Sequence, residues 1–496
     1  VGFSALDYAV LAVYLVGITA FGSRFRKSHR SVRDYFVGSR QTSWIVISLS
    51  IVATETSTLT LIGVPALAYG NYAHPEQGGS LTYLQVVVGY IIARFIISAL
   101  FIPAYFQGEM LTAYELLNRR FGAKAKNFAA SLFLTMRALA EGVRVFAASI
   151  VLTAVLGASV PNLPHLWLWS IVIVGVLTLV YTFEGGIAAV IWTDLIQLVI
   201  YIGGSIVAAY MLVHLVPGGW PAIVADASAA GKLQVISWSL DPRLPFTFWA
   251  GVIGGTFLTM ASHGTDQLLV QRLLTCRNAR ESQFAIILSG FVVFAQFALF
   301  LWIGLMLHAY YAVHPLPPMA TTDEIFPAFI VRSLPHGVAG LVIAAIFAAA
   351  MSNLSGSLNS LASSTVLDFY QPLAKRPLDE AGLLRLSRRL TAAWGVVLIL
   401  IAMMARGWGS VFTVGLTIAS IVQGPMLGAF LMGVLTKSAT QTGVMAGIGV
   451  SLVAMVAVRL FTPLAWTWYV IVGTAICVIV GMAASRARPR DSFSVS

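Results

Sequence analysis

Residues 51–63 read IVATETSTLTLIG. Five hydroxyl side chains (Thr54, Thr56, Ser57, Thr58, Thr60) and the carboxylate of Glu55 lie between flanks apolar enough for a membrane interior. Thr and Ser are weak helix formers whose side chains compete for backbone groups, so this stretch predicts a helix broken at its centre. A break at membrane depth persists only where it lines a cavity or is buried in protein. Its carbonyls and nearby hydroxyls would suit a small hard cation such as Na+. A second polar island lies in AAIFAAAMSNLSGSLNSLASS, where Ser352, Asn353, Ser355, Ser357 and Ser360 crowd one region. Small residues there also suit a tight helix interface. An ion site between the two segments, with many neutral oxygens and little formal charge, favours Na+ over Ca2+ or Mg2+.

Charges inside apolar segments are costly and point to function. Here they are Glu55, Arg94, Arg137, Glu141, Arg144, Asp194 and Asp266, with His263 beside them. Arg137, Glu141 and Arg144 share one helix face at i, i+4 and i+7. They form either a buried network joining helices or a site in which Arg144 takes an anionic solute group. His263 and Asp266 make the best acid–base pair for an enzyme, but their glycine-broken setting favours binding. The eight histidines form no HxxxH or HExxH pattern, and Cys276 and Cys477 are far apart, so neither a metal site nor a disulfide framework is expected.

These groups must be held by helices. The chain has 496 residues, 58% hydrophobic and 10% charged, with mean hydropathy +0.86. Soluble domains carry about 25% charged residues. The composition predicts an all-α polytopic membrane protein with little room for a soluble domain. At about 20 apolar residues per crossing, thirteen spans are expected, near 4–23, 43–69, 80–105, 128–157, 165–183, 187–215, 247–271, 283–307, 338–367, 387–405, 409–433, 440–459 and 464–484. Ala5–Gly22 precedes a basic loop rather than a small-residue cleavage site, so it reads as a first span and not a leader. Alternate loops carry 22 Lys and Arg against five in the others. That asymmetry puts the N-terminus outside and the C-terminus in the cytoplasm. It also explains the net charge of +11 without nucleic acid.

Span seven, FWAGVIGGTFLTMASHGTDQLLVQR, is rich in glycine and ends in a polar cluster. It begins five spans after the first expected break. Paired breaks at such an offset mark inverted repeats, here spans 2–6 and 7–11, about 43–215 and 247–433. The whole chain, 1–496, is expected to be a single transmembrane transporter domain.

Several blocks are similar to one family. YTFEGGIAAVIWTDLIQLVI (Tyr181–Ile200), GTDQLLVQRLL (Gly264–Leu274), AAAMSNLSGSLNS, DYFVGSR after the first span and TAYELLNRRFG at 112–122 resemble the sodium:solute symporters. The likeness runs from about residue 5 to 485. It implies a LeuT-type 5+5 inverted-repeat fold with alternating access. It also implies a Na+ site from Ala53, Thr56, Ala349, Ser352 and Asn353, the last replacing the common Ser or Thr. A second site, found in some relatives, maps to Asp194, Ser352 and Ser355, but Gly356 lacks the hydroxyl of two-sodium members. Solute-facing residues would be Glu55, Ser57, Thr60, Gln85, Arg144, Asp266 and Thr417. Leu84 stands where bacterial sugar members have an acid, which weakens a galactose-type reading.

The expected function is Na+-coupled symport of a small polar solute: a sugar, a sialic acid-like compound or another carboxylate. Proton coupling through Glu55 or Asp194 is the alternative, since a carboxylate shielded from water can hold a proton near neutral pH. A solute-sensing receptor would need an output domain, and only about a dozen residues follow the last span. A channel would need a continuous polar stripe, whereas the polar residues cluster near one depth. The expected partners are solute, Na+ and the lipid bilayer, with no nucleic acid; the expected state is a monomer in the inner (plasma) membrane.

Overall fold

The computed structural model describes residues 3–24, 35–36, 42–71, 78–108, 110–159, 163–316, 319, 321–374, 378–408 and 411–487, with the backbone alone at 23, 154, 158–159, 180–186, 411–413 and 416. Most of DYFVGSR, and Lys375, Arg376, Arg488 and Arg490 of the basic loops, lie outside the described residues. Among those described, every regular element is a helix.

Helix α1 (Ala5–Ser23) starts at a reciprocal capping box between Ser4 and Asp7. Helices α2 (Trp44–Glu55) and α3 (Thr58–Tyr69) follow, bent by 64° at the break. The expected interruption is there: Thr56 and Ser57 are extended, with ψ of 104° and 172°. Next come α4 (Leu84–Tyr105), the short α5 (Glu115–Phe121), α6 (Ala123–Ser159), α7 (Leu166–Leu215) and α8 (Gly219–Ala229). A π-helical turn at Trp249–Ile253 leads into α9 (Gly254–Gly264). The chain leaves helix at Asp266, whose carboxylate accepts the Leu268 amide at 2.9 Å and starts α10 (Gln267–Leu274). The rest is α11 (Ala279–Val313), α12 (Ile325–Ser333), α13 (Val338–Ser364), α14 (Glu380–Ala405), α15 (Val411–Leu435), α16 (Gln441–Phe461) and α17 (Tyr469–Ala487).

Among the described residues, ten helices are long and apolar enough to cross a membrane, and the bent α2–α3 pair makes eleven. Two of the thirteen expected spans do not stand alone. The stretch 165–183 lies in α7, which runs on without a break into the next span. The stretch 247–271 is divided among the π turn, α9 and α10. Its glycines and polar cluster shorten each of these pieces.

Helix α13 is the central column. It is buried along nearly its whole length and packs on α1, α2, α6, α7 and α14. Asp7, fully buried in α1, accepts the backbone amides of Gly337 (2.7 Å) and Gly340 (2.8 Å) and so caps α13 as well as its own helix. Helices α4 and α9 meet backbone to backbone: side chains at Gly89 or Gly255 would strike the carbonyls of Val252 or Val86. Val13, Val453 and Ile479 face outward and exposed, as a lipid-facing surface requires.

Asp7→Ala should destabilise the fold by about 1–3 kcal/mol, since it leaves the buried Gly340 amide and the half-buried Gly337 amide without their acceptor. A lower unfolding temperature than wild type, at matched scan rate in detergent, checks this.

Candidate functional site

The two breaks lie against a cleft of about 970 Å³, part of it open to solvent. Tyr83, Tyr90 and Phe297 form an aromatic wall, with Tyr83 stacked on Phe297 (centroids 5.5 Å apart) and its hydroxyl 2.9 Å from that of Tyr90. Glu55, Ser57, Thr60 and Arg144 line the cleft, as does Asn353. Three other expected solute residues do not. The Gln85 amide is taken by backbone: it donates to the carbonyls of Thr82 (3.0 Å) and Phe246 (3.1 Å) and accepts the Ser237 amide (3.1 Å). Asp266 is buried against Arg137, and Thr417 lies two residues beyond the cleft-lining Gly415.

The intramembrane charges pair off. Glu55 binds Arg94, with His263 Nε2 at 3.1 Å. Arg94 is wholly buried and also donates to Ser289 Oγ (3.1 Å) and the Tyr90 carbonyl (3.2 Å). Arg137 binds Asp266 and lies 3.9 Å from Glu141. Glu141 accepts from Arg144 (2.9 Å) and Ser357 (2.8 Å). The i, i+4, i+7 face is therefore a network joining helices, and both Arg137 and Arg144 line the cleft. The Arg144 side chain is 24% exposed, against 6% for Arg137 and 0% for Arg94.

At the first break, the ladder of α2 ends with the Thr56 amide donating to the Val52 carbonyl (3.1 Å). The carbonyls of Ala53, Thr54 and Glu55 project past that last helical bond. Thr54's carbonyl takes the Asn353 side-chain amide, which ties the break to α13. Gln296 donates to the Thr56 hydroxyl (2.6 Å) and holds the other strand of the break. Ala53, Ala349 and Ser352 are fully buried.

Asp194 accepts Ser50 (2.6 Å), Thr54 (3.2 Å), Ser352 (2.6 Å) and Arg272 (3.0 Å). Ser355 turns back onto the Ser352 carbonyl (3.0 Å). A Cβ at Gly356 would lie 2.7 Å from Arg272 Nη2, so glycine there admits the guanidinium. Arg272, which follows span seven and is one of the 22 loop charges of the sequence, is buried and belongs to the interior.

Sequence reasoning passed over three residues of α10. Gln267 accepts the Ala113 amide (2.7 Å), Gln271 donates to the Phe36 carbonyl (2.5 Å), and Arg272 reaches Asp194. With Asp266 on Arg137, an eight-residue helix and its cap tie down four separate segments. Gln423 was also missed. It lines the cleft with a buried, unpartnered Oε1, and its signal was a polar amide in the apolar run SIVQGPML.

Two helices broken at a polar cleft, in an all-helical membrane bundle of LeuT-type fold, define a secondary transporter. Residues 35–450 match the sodium:solute symporter family, and the chain belongs to that family. It is a multi-pass, Na+-coupled solute symporter rather than an enzyme. It is 31% identical to the sodium/sialic acid symporter NanT of Aliivibrio fischeri, over 97% of this chain and 92% of the relative. It is 28% identical to the human sodium/iodide cotransporter, over 97% and 75%. Its structure superposes on a Na+-coupled sialic acid symporter in a substrate-bound, outward-open state with TM-score 0.87 and 28% identity, covering 98% and 99% of the two chains.

Removing one partner of a buried pair costs about 3–5 kcal/mol. Arg272→Met should lower unfolding stability by that order, and adding Asp194→Leu should recover only part of it in the same assay, because Ser50, Thr54 and Ser352 then lose their acceptor.

Proposed function

We propose that this symporter imports a small anionic solute, a sialic acid or another carboxylate, with one Na+ per cycle by alternating access. The observation that carries this reading is Arg144, the most cleft-exposed guanidinium among the described residues of the charge network. Its partner Glu141 is shared with Arg137, so Arg144 keeps attraction for a carboxylate entering the cleft. The relatives named for sialic acid, iodide and monocarboxylates all move anions, and this supports a cationic anchor. Ser57, Thr60 and Gln423 would take solute hydroxyls or amides, with the Tyr83–Phe297 wall against its apolar face. Glu55 and Asp266 serve as ion-pair partners that hold the breaks rather than as solute ligands. Gln85 and Thr417 act in the surrounding shell.

Na+ would be held by the carbonyls of Ala53, Thr56 and Ala349 and the hydroxyl of Ser352. These neutral oxygens fit the ion's preference. Asn353 spends both ends of its amide elsewhere, so it shapes the site rather than ligating. The second set, Asp194, Ser352 and Ser355, already has a cation in Arg272, which supports a stoichiometry of one. Each Na+ entering gains about 2.3 kcal/mol per 100 mV, and its gradient adds to this. The chain acts as one domain and as a monomer, with repeats 43–215 and 247–433 moving about the site. Its N-terminus is outside and its C-terminus in the cytoplasm of the inner (plasma) membrane; the charge asymmetry of the loops supports that orientation.

NaCl should raise the unfolding temperature of the purified protein relative to choline chloride at equal ionic strength, by about 2.7 kcal/mol of stability at a hundredfold excess over Kd. Ser352→Ala should shrink the rise; an equal rise in that variant would remove Ser352 from the site. Arg144→Gln should raise the half-saturating concentration of a transported carboxylate about 10- to 100-fold, measured by uptake into liposomes. Unchanged uptake would reject the anion anchor.

A further inference from the structure

Asn353, on α13, lines the cleft beside the first break. Its amide reaches two places that one hydroxyl would not. Its Nδ2 donates to the Thr54 carbonyl in the first break, next to the carbonyl of Ala53. Its Oδ1 accepts from Arg144 Nη1 at 3.2 Å. The two ends cannot be exchanged: a carbonyl only accepts and a guanidinium only donates, so the amide must present nitrogen to one and oxygen to the other. Asn353 is 2% exposed, and both ends of its amide are taken by protein groups. Arg144, in turn, lines the cleft with Ser57 and Thr60.

We propose that Asn353 is the coupling residue of this transporter: it passes sodium occupancy at the break to the guanidinium that receives the solute. This rests on the reading that Na+ binds at the break and Arg144 takes a carboxylate. Ordering the break's carbonyls around Na+ fixes Thr54, which fixes the amide. The amide then holds Arg144 against the competing pull of Glu141, 2.9 Å away. A solute arriving second meets a guanidinium already ordered and pays less of the ordering cost. By reciprocity, solute tightens Na+ binding by the same factor. A hydroxyl at 353 would drop the link to Arg144, because its reach ends at the break.

The test is Asn353→Ser, with N-acetylneuraminic acid and lactate as probes. Affinity of purified protein for each probe is measured by calorimetry in low and high NaCl, balanced with choline chloride. In the wild type, sodium should tighten at least one probe by about fivefold or more, the lower end of ordinary coupling. In Asn353→Ser the probe should still bind at low sodium, with the factor reduced to below about twofold. A factor equal to that of the wild type overturns the proposal. If neither acid binds the wild type, the anionic-solute reading fails, and the link is then tested with sodium alone. The Na+ midpoint for thermal stabilisation is read in wild type, Asn353→Ser, Arg144→Lys and the double variant. The two substitutions should act non-additively on that midpoint, as residues in one network do. Independent, multiplying effects overturn the proposal.

Discussion

Most charges at the centre of this bundle are cut off from water, and the rest of the structure follows from how that deficit is met. Among the described residues, Glu55, Glu141, Asp194 and Asp266 each meet an arginine. The partners come from different helices in three of the four cases, so neutralising charge and joining helices are one act. The Arg94–Glu55 pair pins the first break to α4, and Arg137–Asp266 pins the second break to α6. A buried pair gives little net stability over an apolar substitute. Its value here lies in fixing where two non-helical segments sit.

The same accounting governs the backbone. Each break frees carbonyls and amides that lipid could not satisfy. Asp266 caps α10 with its side chain, and Asn353 covers the Thr54 carbonyl. The carbonyl of Ala53 lies just beyond the last helical bond of α2. Oxygens left over by the break are what the proposed Na+ site draws on.

Much of this was legible in the residues, because helix breaks and apolar lengths are local properties. The hydroxyl run at 54–60 and the glycine-rich segment 247–271 announced both breaks. The span count was harder, since α7 runs its backbone through two apolar stretches and 247–271 divides into short pieces. Pairing within α6 was legible from its spacing; pairing between segments was not. Glu55 and Arg94 are 39 residues apart and Arg137 and Asp266 are 129, and nothing in composition says which carboxylate meets which guanidinium. Arg272 misled for a simple reason: it follows an apolar run, so it reads as the start of a basic loop. Gln85 and Gln423 illustrate the remaining difficulty. Both are single amides in apolar runs, and only the fold shows that one is spent on a loop backbone while the other faces the cleft.

Helix α10 bears on how such a protein can diversify. Its polar side chains and its cap reach α6, the segment before α5, Phe36 and α7. A change at any one of them would be felt in a distant part of the molecule, so drift in this short helix is constrained from four directions at once. Gln423, with its unpartnered Oε1, carries no such obligation among the described residues. At the proposed solute site, new preferences can arise by exchanging Gln423 while the helix framework is inherited intact, and divergence should be fast at that edge of the cleft and slow at α10.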